Sequence, residues 1–247
     1  NGRMFRSRVF TFFCFLSLLL FTTVGIAAPP IPYNSNFDAR YKGLKAQATI
    51  SVVQLDESEF IAETTIRIRL FGANISTIRE TSHFDWHDDM PWPRFYEYKH
   101  TGIGARYRSA SFDWHQNLAI ATVDDATSEL SLSGNTLDEL NMYTHLKHEL
   151  SQGKTEIYFN VVNRNIVEEY HYSVLGEETL SLKSGEFETV MVERVRDNSE
   201  RVTQLWFAKN HDMLMLKLYQ RDPDGEEFEI TMRDAQINGV AVSPDKL

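Results

Sequence analysis

Apolar and polar residues alternate along most of the chain, from Phe37 to about Ile237. Residues 64–72, TTIRIRLFG, place Ile66 and Ile68 on one side and Arg67 on the other, which is typical of a half-buried strand. The same alternation recurs in seven further runs: 48–55, 105–114, 155–162, 167–176, 188–195, 202–208 and 213–221.

Short turn-forming segments separate several of these runs, among them SG at 184–185, NHD at 210–212 and DPDG at 222–225. Such a series of hairpins predicts an antiparallel meander. A sheet of this many long strands has to curl. The fold class is therefore mainly β: a single curved antiparallel meander that forms an open or closed barrel-like sheet.

One segment, at about 136–151, has a helical pattern instead. Thr136 precedes Glu139 by three residues, which is the spacing of a capping box, and Gly153 follows the pattern's end. One stripe carries the apolar residues Leu137, Leu140, Tyr143, Leu146 and Leu150. We expect an amphipathic helix that covers either the mouth or an edge of the curved sheet.

The first residues resemble an export signal. Three arginines precede an apolar run at 9–24, and Gly25 and Ala27 fit the small-residue positions of a cleavage site. We expect residues 1–27 to be a signal peptide, 28–239 one β-rich domain and 240–247 a C-terminal tail. After cleavage the protein should be periplasmic and should not span the membrane.

Composition narrows the classes of function. The chain has 25 Lys and Arg, 35 Asp and Glu, and one cysteine, Cys14, which lies within the predicted signal. Without Arg3, Arg6 and Arg8, 22 basic residues face 35 acidic ones, a formal charge near −13. This charge argues against a nucleic-acid partner. The absence of cysteine from residues 28–247 excludes disulfides and a thiol nucleophile from the predicted mature chain.

The tetrapeptide FDWH occurs twice, at 84–87 and 112–115. If the two strands were neighbours in suitable register, Asp85, His87, Asp113 and His115 could form a metal site. The alternative, which we favour, is that the Phe and Trp residues are buried and the Asp and His residues are their solvated complement. We therefore assign no metal ligands.

The segment HDDMPWPRFYEYKHTG, at 87–102, combines prolines that interrupt a strand ladder with several aromatic residues. Aromatic faces beside polar groups suit sugars, peptides or acyl chains. The candidate ligand-binding residues are Trp92, Phe95, Tyr96, Tyr98 and Trp206. A proline-fixed corner with its aromatic residues in the core is the alternative.

No motif for catalysis or a cofactor is present. His145 and His148 have a helical spacing that could bind a metal, but HLKHE is not a metalloprotease motif, and surface histidines at the wet edge of the helix are favoured. There is no nucleophile elbow, phosphate-binding loop or dinucleotide fingerprint. We expect a protein that is not an enzyme, with no catalytic residues and no cofactor.

The order of several segments resembles domain of unknown function 3108, a family of exported bacterial proteins. The likeness spans about 33–237 and is carried by ARYKGLKA (39–46), MPWPRFYEY (90–98), VDDATSELSL (123–132), YSVLGEETLSLKSGEFETVMVERV (172–195) and TQLWFAKNHDMLMLKLYQRDPDG (203–225). The resemblance implies a periplasmic, barrel-like antiparallel domain and carries over no catalytic residues.

The leading hypothesis is a periplasmic protein that binds a lipid-like or glycan ligand of the cell envelope on a concave aromatic face. A scaffold for an envelope protein, with a filled barrel, is the alternative, and a metal-dependent hydrolase is a third. The oligomeric state stays open.

Overall fold

The computed structural model describes residues 29–41, 44–197 and 200–246. The predicted signal peptide lies outside these residues. Eight strands form the first half of the chain: Tyr33–Tyr41 (β1), Leu44–Gln54 (β2), Glu59–Leu70 (β3), Ala73–His87 (β4), Met90–Gly102 (β5), Arg106–Asp113 (β6), Leu118–Val123 (β7) and Ala126–Ser131 (β8).

A short strand and a helix separate this half from the next: Thr136–Asp138 (β9) and Met142–Ser151 (α1). Seven strands follow: Glu156–Asn163 (β10), Ile166–Leu182 (β11), Gly185–Val195 (β12), Val202–Ala208 (β13), Leu214–Arg221 (β14), Glu227–Ile237 (β15) and Val240–Ala241 (β16). The described residues contain no helix that is long and apolar enough to cross a membrane.

All sixteen strands belong to one sheet, which confirms the predicted mainly β, curved antiparallel architecture. The order is β8 to β1 and then β15 to β9, with β16 added beside β15. The sheet thus consists of two meanders joined by the pairing of β1 with β15. All pairs are antiparallel except β9 with β10.

The sheet curls without closing through hydrogen bonds. Its two edge strands are β8 and β9, and β9 also contacts β5 while β8 contacts β11. All three residues of β9 are fully buried. The β9 edge is therefore tucked inside the curl, and the architecture is barrel-like and open.

The alternating pattern decides which face is inside. On β4, Ser76, Ser82, Phe84 and Trp86 have the same parity and are all buried. The rings of Phe60 and Phe84 stack across β3 and β4 with centroids 5.6 Å apart. This face, together with the inner faces of β10 to β15, forms the core.

Helix α1 begins later than the pattern predicted. Residues 136–138 pair with β10, with Leu137 opposite Val161, so they form a strand instead of the first helical turn. The Thr136 hydroxyl accepts a hydrogen bond from the Ser133 amide (3.1 Å) and does not take part in a capping box. The leucine stripe is buried as expected, and the helix packs inside the curl against β5 and β10.

Both ends of the described chain are hydrogen-bonded to the sheet. β1 begins at Tyr33 and pairs with β2 and β15. Beyond β16, the amide of Asp245 donates to the carbonyl of Glu186 (2.9 Å), and the Asp245 carboxylate accepts the amide of Glu188 (2.8 Å). Residues 240–246 are thus bound to β15 and β12.

Candidate functional site

An interior cavity of about 340 Å³ lies between the sheet and α1. Much of its wall is apolar, contributed by inward-facing residues that include Ile50, Ile66, Met215, Leu218 and Phe228. Small residues, Ala48 and Ala62, leave space beside them. A cavity of this size is within the range of small-molecule sites.

The cavity wall carries unusual charge for a protein whose net charge is −10. Among the described residues, five arginines and one lysine line it, against two carboxylates, Glu80 and Glu139. The cationic residues are Arg108, Lys147, Arg164, Arg194, Arg196 and Arg201. Three of them, Arg108, Lys147 and Arg201, each form an ion pair with a carboxylate, which largely compensates their charge.

Arg108 and Glu139 form a two-pronged pair. The Arg108 Nη1 atom lies 3.0 Å and 2.6 Å from the two carboxylate oxygens, and the guanidinium also lies 4.0 Å from the centroid of the Tyr98 ring. Lys147 pairs with Asp212 (2.5 Å) and Arg201 with Asp222 (2.7 Å).

The hydroxyl of Tyr96 lies between the two cavity carboxylates, 2.8 Å from Glu80 and 3.1 Å from Glu139. A hydroxyl has one proton to donate, so both contacts are favourable only if one carboxyl carries a proton. Glu80 is that carboxyl, because burial, followed by the charge of Glu139, raises its pKa from 4.5 to about 7. Glu139 pairs with Arg108 instead.

A second buried carboxyl, Asp138, connects β9 to the start of α1. It accepts hydrogen bonds from the amides of Leu140 (2.8 Å) and Asn141 (2.7 Å) and from the Ser82 hydroxyl (2.5 Å). Burial raises its pKa to about 7, although these hydrogen bonds oppose the rise. Asp138 fixes the tucked edge of the sheet against β4.

Two arginines at the end of β12 also face the cavity. The Arg194 guanidinium lies 3.2 Å from the centroid of the Tyr170 ring, and one of its nitrogens is 3.6 Å from Glu168. Arg196 donates to two neutral acceptors, the carbonyl of Arg201 (3.3 Å) and the hydroxyl of Thr203 (3.1 Å). Burial, and then the charge of Arg194, lowers the pKa of Arg196.

The two FDWH segments meet at a different place, on a shallow open pocket beside the start of β5. β4 and β6 are not neighbours, because β5 lies between them. Asp85, His87, Asp113 and His115 all line this pocket. Among the described residues, however, no three metal-ligating side chains are close enough to hold an ion.

Aromatic residues form the centre of this outer pocket. The rings of Trp92 and Trp114 meet edge to face, 4.7 Å apart, and Phe112 stacks on Trp114. The indole N–H of Trp92 donates to the His87 carbonyl (3.1 Å), and that of Trp114 donates to the Pro93 carbonyl (2.8 Å). Both indole rings are thereby fixed in orientation.

The five predicted ligand-binding residues do not come together at one site. Trp92 lies in the outer pocket, and Phe95 lines another one with His83. Tyr96 is buried against the cavity carboxylates, and Tyr98 stacks beneath Arg108. Trp206 is buried, and its indole N–H donates to Glu178.

The spacing of His145 from the leucine stripe predicted a position at the solvent-exposed edge of the helix, and this prediction was wrong. His145 is 9% exposed and meets the Phe159 ring edge to face at 5.5 Å. Burial lowers its pKa to about 4, so it is neutral at ordinary pH. His148 remains partly exposed and lies beside Trp86.

Sequence reasoning missed the charged residues of the cavity, although the alternation contains a signal for them. Arg194 and Arg196 share the parity of the buried Val190 and Val192 on β12. Glu80 likewise shares the parity of Ser82 and Phe84 on β4. Charged residues at inward positions of a strand indicate a polar site inside the barrel.

Comparison with known proteins gives a family and a fold. The family model described as "Protein of unknown function (DUF3108)" matches residues 36–233. No curated protein matches the chain.

A solved structure shares the fold. It is described as the "Crystal Structure of Beta-barrel-like Protein of Domain of Unknown Function DUF1849 from Brucella abortus". The match has a TM-score of 0.56 at 8% identity and covers 84% of this chain and 98% of that one. At 8% sequence identity, the match shows that the two proteins share a fold and nothing more.

Proposed function

Since the chain belongs to the DUF3108 family of proteins of unknown function, we propose from its own geometry that it is a non-enzymatic protein that binds a lipid-like molecule in its interior cavity. The observation that carries this proposal is the cavity of about 340 Å³, whose wall combines apolar residues with several cationic ones. A barrel that served only as a scaffold would have its interior filled with side chains.

The walls of the cavity support an elongated amphiphile as the ligand. Ile50, Ile66 and Leu218 offer apolar surface to a hydrocarbon chain, and each methylene buried there contributes roughly 0.8 kcal/mol. Two of the cationic residues, Arg164 and Arg201, are exposed, so the cavity wall carries positive charge where it meets solvent. A ligand would enter with its polar end last.

The carboxylates of the cavity support binding more than catalysis. Glu139 is held by Arg108 and by the Tyr96 hydroxyl, so it has little freedom to act as a base. Glu80 is bound to the same hydroxyl. Both groups are satisfied within the protein, which suits a preformed wall and not a proton-transfer site.

Native mass spectrometry of the protein purified gently from a periplasmic extract tests this function. We expect a bound species that is released on denaturation and identified as a lipid-like molecule. A bare polypeptide, together with no displacement of a fluorescent fatty-acid analogue in vitro, would contradict the proposal. The same spectrum tests export, because cleavage after Ala27 gives a mature chain that begins at Ala28.

The outer pocket favours a second candidate function, the binding of a glycan. Fixed indole rings flanked by Asp85 and His87 resemble the aromatic and polar surfaces that recognise sugars. Titration of envelope oligosaccharides should quench the fluorescence of Trp92 and Trp114 if the pocket binds them. Unchanged fluorescence in the wild type, or an equal response in W92A, would exclude this site.

A further inference from the structure

Resting on the proposed function, we infer that the ligand of the interior cavity is an anionic amphiphile, whose phosphate or carboxylate head group binds to Arg194 and Arg196. Arg194 lies on β12 and Arg196 directly follows the strand, two residues further along the chain, and both line the cavity. Two guanidinium groups directed at one space form a fork-like donor set for an oxyanion.

The protein leaves part of the positive charge of the cavity wall without a close carboxylate. Among the six cationic residues of the wall, Arg108, Lys147 and Arg201 each have a carboxylate within 3.0 Å. Arg194 has only a loose contact with Glu168, at 3.6 Å. Among the described residues, no carboxylate forms an ion pair with Arg164 or Arg196.

The positive charge of Arg194 and Arg196 lies in an unfavourable environment when no ligand is bound. Arg194 and Arg196 are only partly accessible to water, and their like charges repel each other. The Nε atom of Arg194 is buried and has no hydrogen-bond partner. Buried cations are normally paired, so an anion between these guanidinium groups would supply the missing partner.

The carboxylates of the cavity do not provide that partner. Glu139 is engaged by Arg108, and Glu80, whose pKa is raised to about 7, is mostly protonated below that pH and is bound to the Tyr96 hydroxyl. The charges of Arg194 and Arg196 are therefore not cancelled by these two carboxylates, although the protein as a whole is acidic. The neighbouring Thr203 hydroxyl and the Tyr170 ring complete a pocket with polar donors and an aromatic edge.

Competition against a fluorescent fatty-acid analogue tests this inference. The competitors share one acyl chain: oleate, an oleoyl lysophosphatidic acid and the neutral monoolein, with inorganic phosphate as a fourth. We expect both anionic lipids to bind at least about tenfold more tightly than monoolein, which corresponds to about 1.4 kcal/mol. The difference should shrink as salt is added.

Variants then assign the preference to the arginines. R196Q and the double variant R194Q/R196Q should lose the preference for anionic lipids while monoolein binding persists, and R196K should retain part of it. Arg79→Gln is the matched control, because Arg79 is exposed on the outer face of β4. Thermal unfolding of each variant verifies that it is folded.

The outcomes separate the two proposals. Equal binding of monoolein and oleate by the wild type, or an unchanged preference in R194Q/R196Q, would overturn the role of the arginines but leave lipid binding intact. No binding of any lipid would overturn the proposed function itself. If inorganic phosphate competes as strongly as the lysophosphatidic acid does, the cavity is a site for a free anion. That result would contradict the inference that the ligand is an amphiphile.

Discussion

Glutamine in place of Glu80 should make the protein more stable at alkaline pH and leave it nearly unchanged at acidic pH. The folded state keeps a proton on Glu80 up to about pH 7, whereas the unfolded chain releases it near 4.5. Between these values the unfolded state binds fewer protons, so the stability of the wild type falls as pH rises. Above about pH 7 the loss is complete. The glutamine side chain of E80Q cannot ionise, so the variant avoids this loss.

The magnitude follows from the two pKa values. Each pH unit between 4.5 and about 7 corresponds to about 1.4 kcal/mol, which gives a total of about 3 kcal/mol. Part of this is already lost at about pH 5, where the unfolded chain has begun to ionise. The difference in the free energy of unfolding between E80Q and the wild type should therefore increase by about 2 to 3 kcal/mol from about pH 5 to about pH 8.5.

Urea unfolding at these two pH values is the assay, and equal m-values would show that both proteins unfold in the same way. Asp138 titrates in the same window and is present in both proteins, so its own contribution largely cancels in the difference; its charge is the last of the causes that act on the pKa of Glu80. Glu63→Gln is a suitable control, because Glu63 is exposed on β3 and its loss should change stability little. A difference between E80Q and the wild type that is the same at both pH values would refute the argument.

Three further substitutions test other parts of the structure. Ser82→Ala removes a hydrogen bond from the buried Asp138 and should lower the free energy of unfolding by about 1 to 3 kcal/mol in urea titrations; no loss would contradict that role. Gly185→Ala places a methyl group 2.6 Å from the carbonyl of Lys246 at a φ of +133°, so it should expose the C-terminal segment to carboxypeptidase, and wild-type resistance would argue against this packing. Ala62→Phe fills part of the cavity and should weaken binding of the fatty-acid analogue, provided that thermal unfolding shows an intact fold; undiminished affinity would move the ligand elsewhere.

The architecture could be predicted from the sequence because alternation is a local signal. Eight of the strands coincide with runs that alternate, and the curl follows from their number and length. The pairing of β1 with β15 and the burial of β9 could not be predicted in this way. Both depend on contacts between residues far apart in the chain, which no local pattern encodes.

The helix shows how tertiary contacts override a local signal. Thr136 and Glu139 have the spacing of a capping box, yet Thr136 lies in a strand because β10 offers its backbone as a partner. The turn that follows is held by the Asp138 carboxylate, which accepts two amides and the Ser82 hydroxyl. These hydrogen bonds, made within the buried edge, delay the start of the helix to Met142.

The candidate site could not be predicted from the aromatic residues, because several of them pack in the core and do not line a ligand site. Tyr96 and Trp206 are buried, and their polar atoms are bound to Glu80 and Glu178. The informative positions were instead those where a charged residue has the parity of a buried strand face. Glu80 and Arg194 are such positions.

Charged residues at inward strand positions also explain why the interior of the barrel contains a cavity. Charged residues at inward positions cannot pack as tightly as the apolar residues they replace, and each needs a partner or solvent. Arg108 and Glu139 satisfy each other, and Glu80 is mostly protonated below about pH 7, so these residues add little net charge to the interior under those conditions. Among the described residues of the cavity wall, positive charge without a close carboxylate is found at the exposed Arg164 and at the end of β12. Stability alone would favour apolar residues there, so Arg194 and Arg196 are best explained by an anion that binds to them.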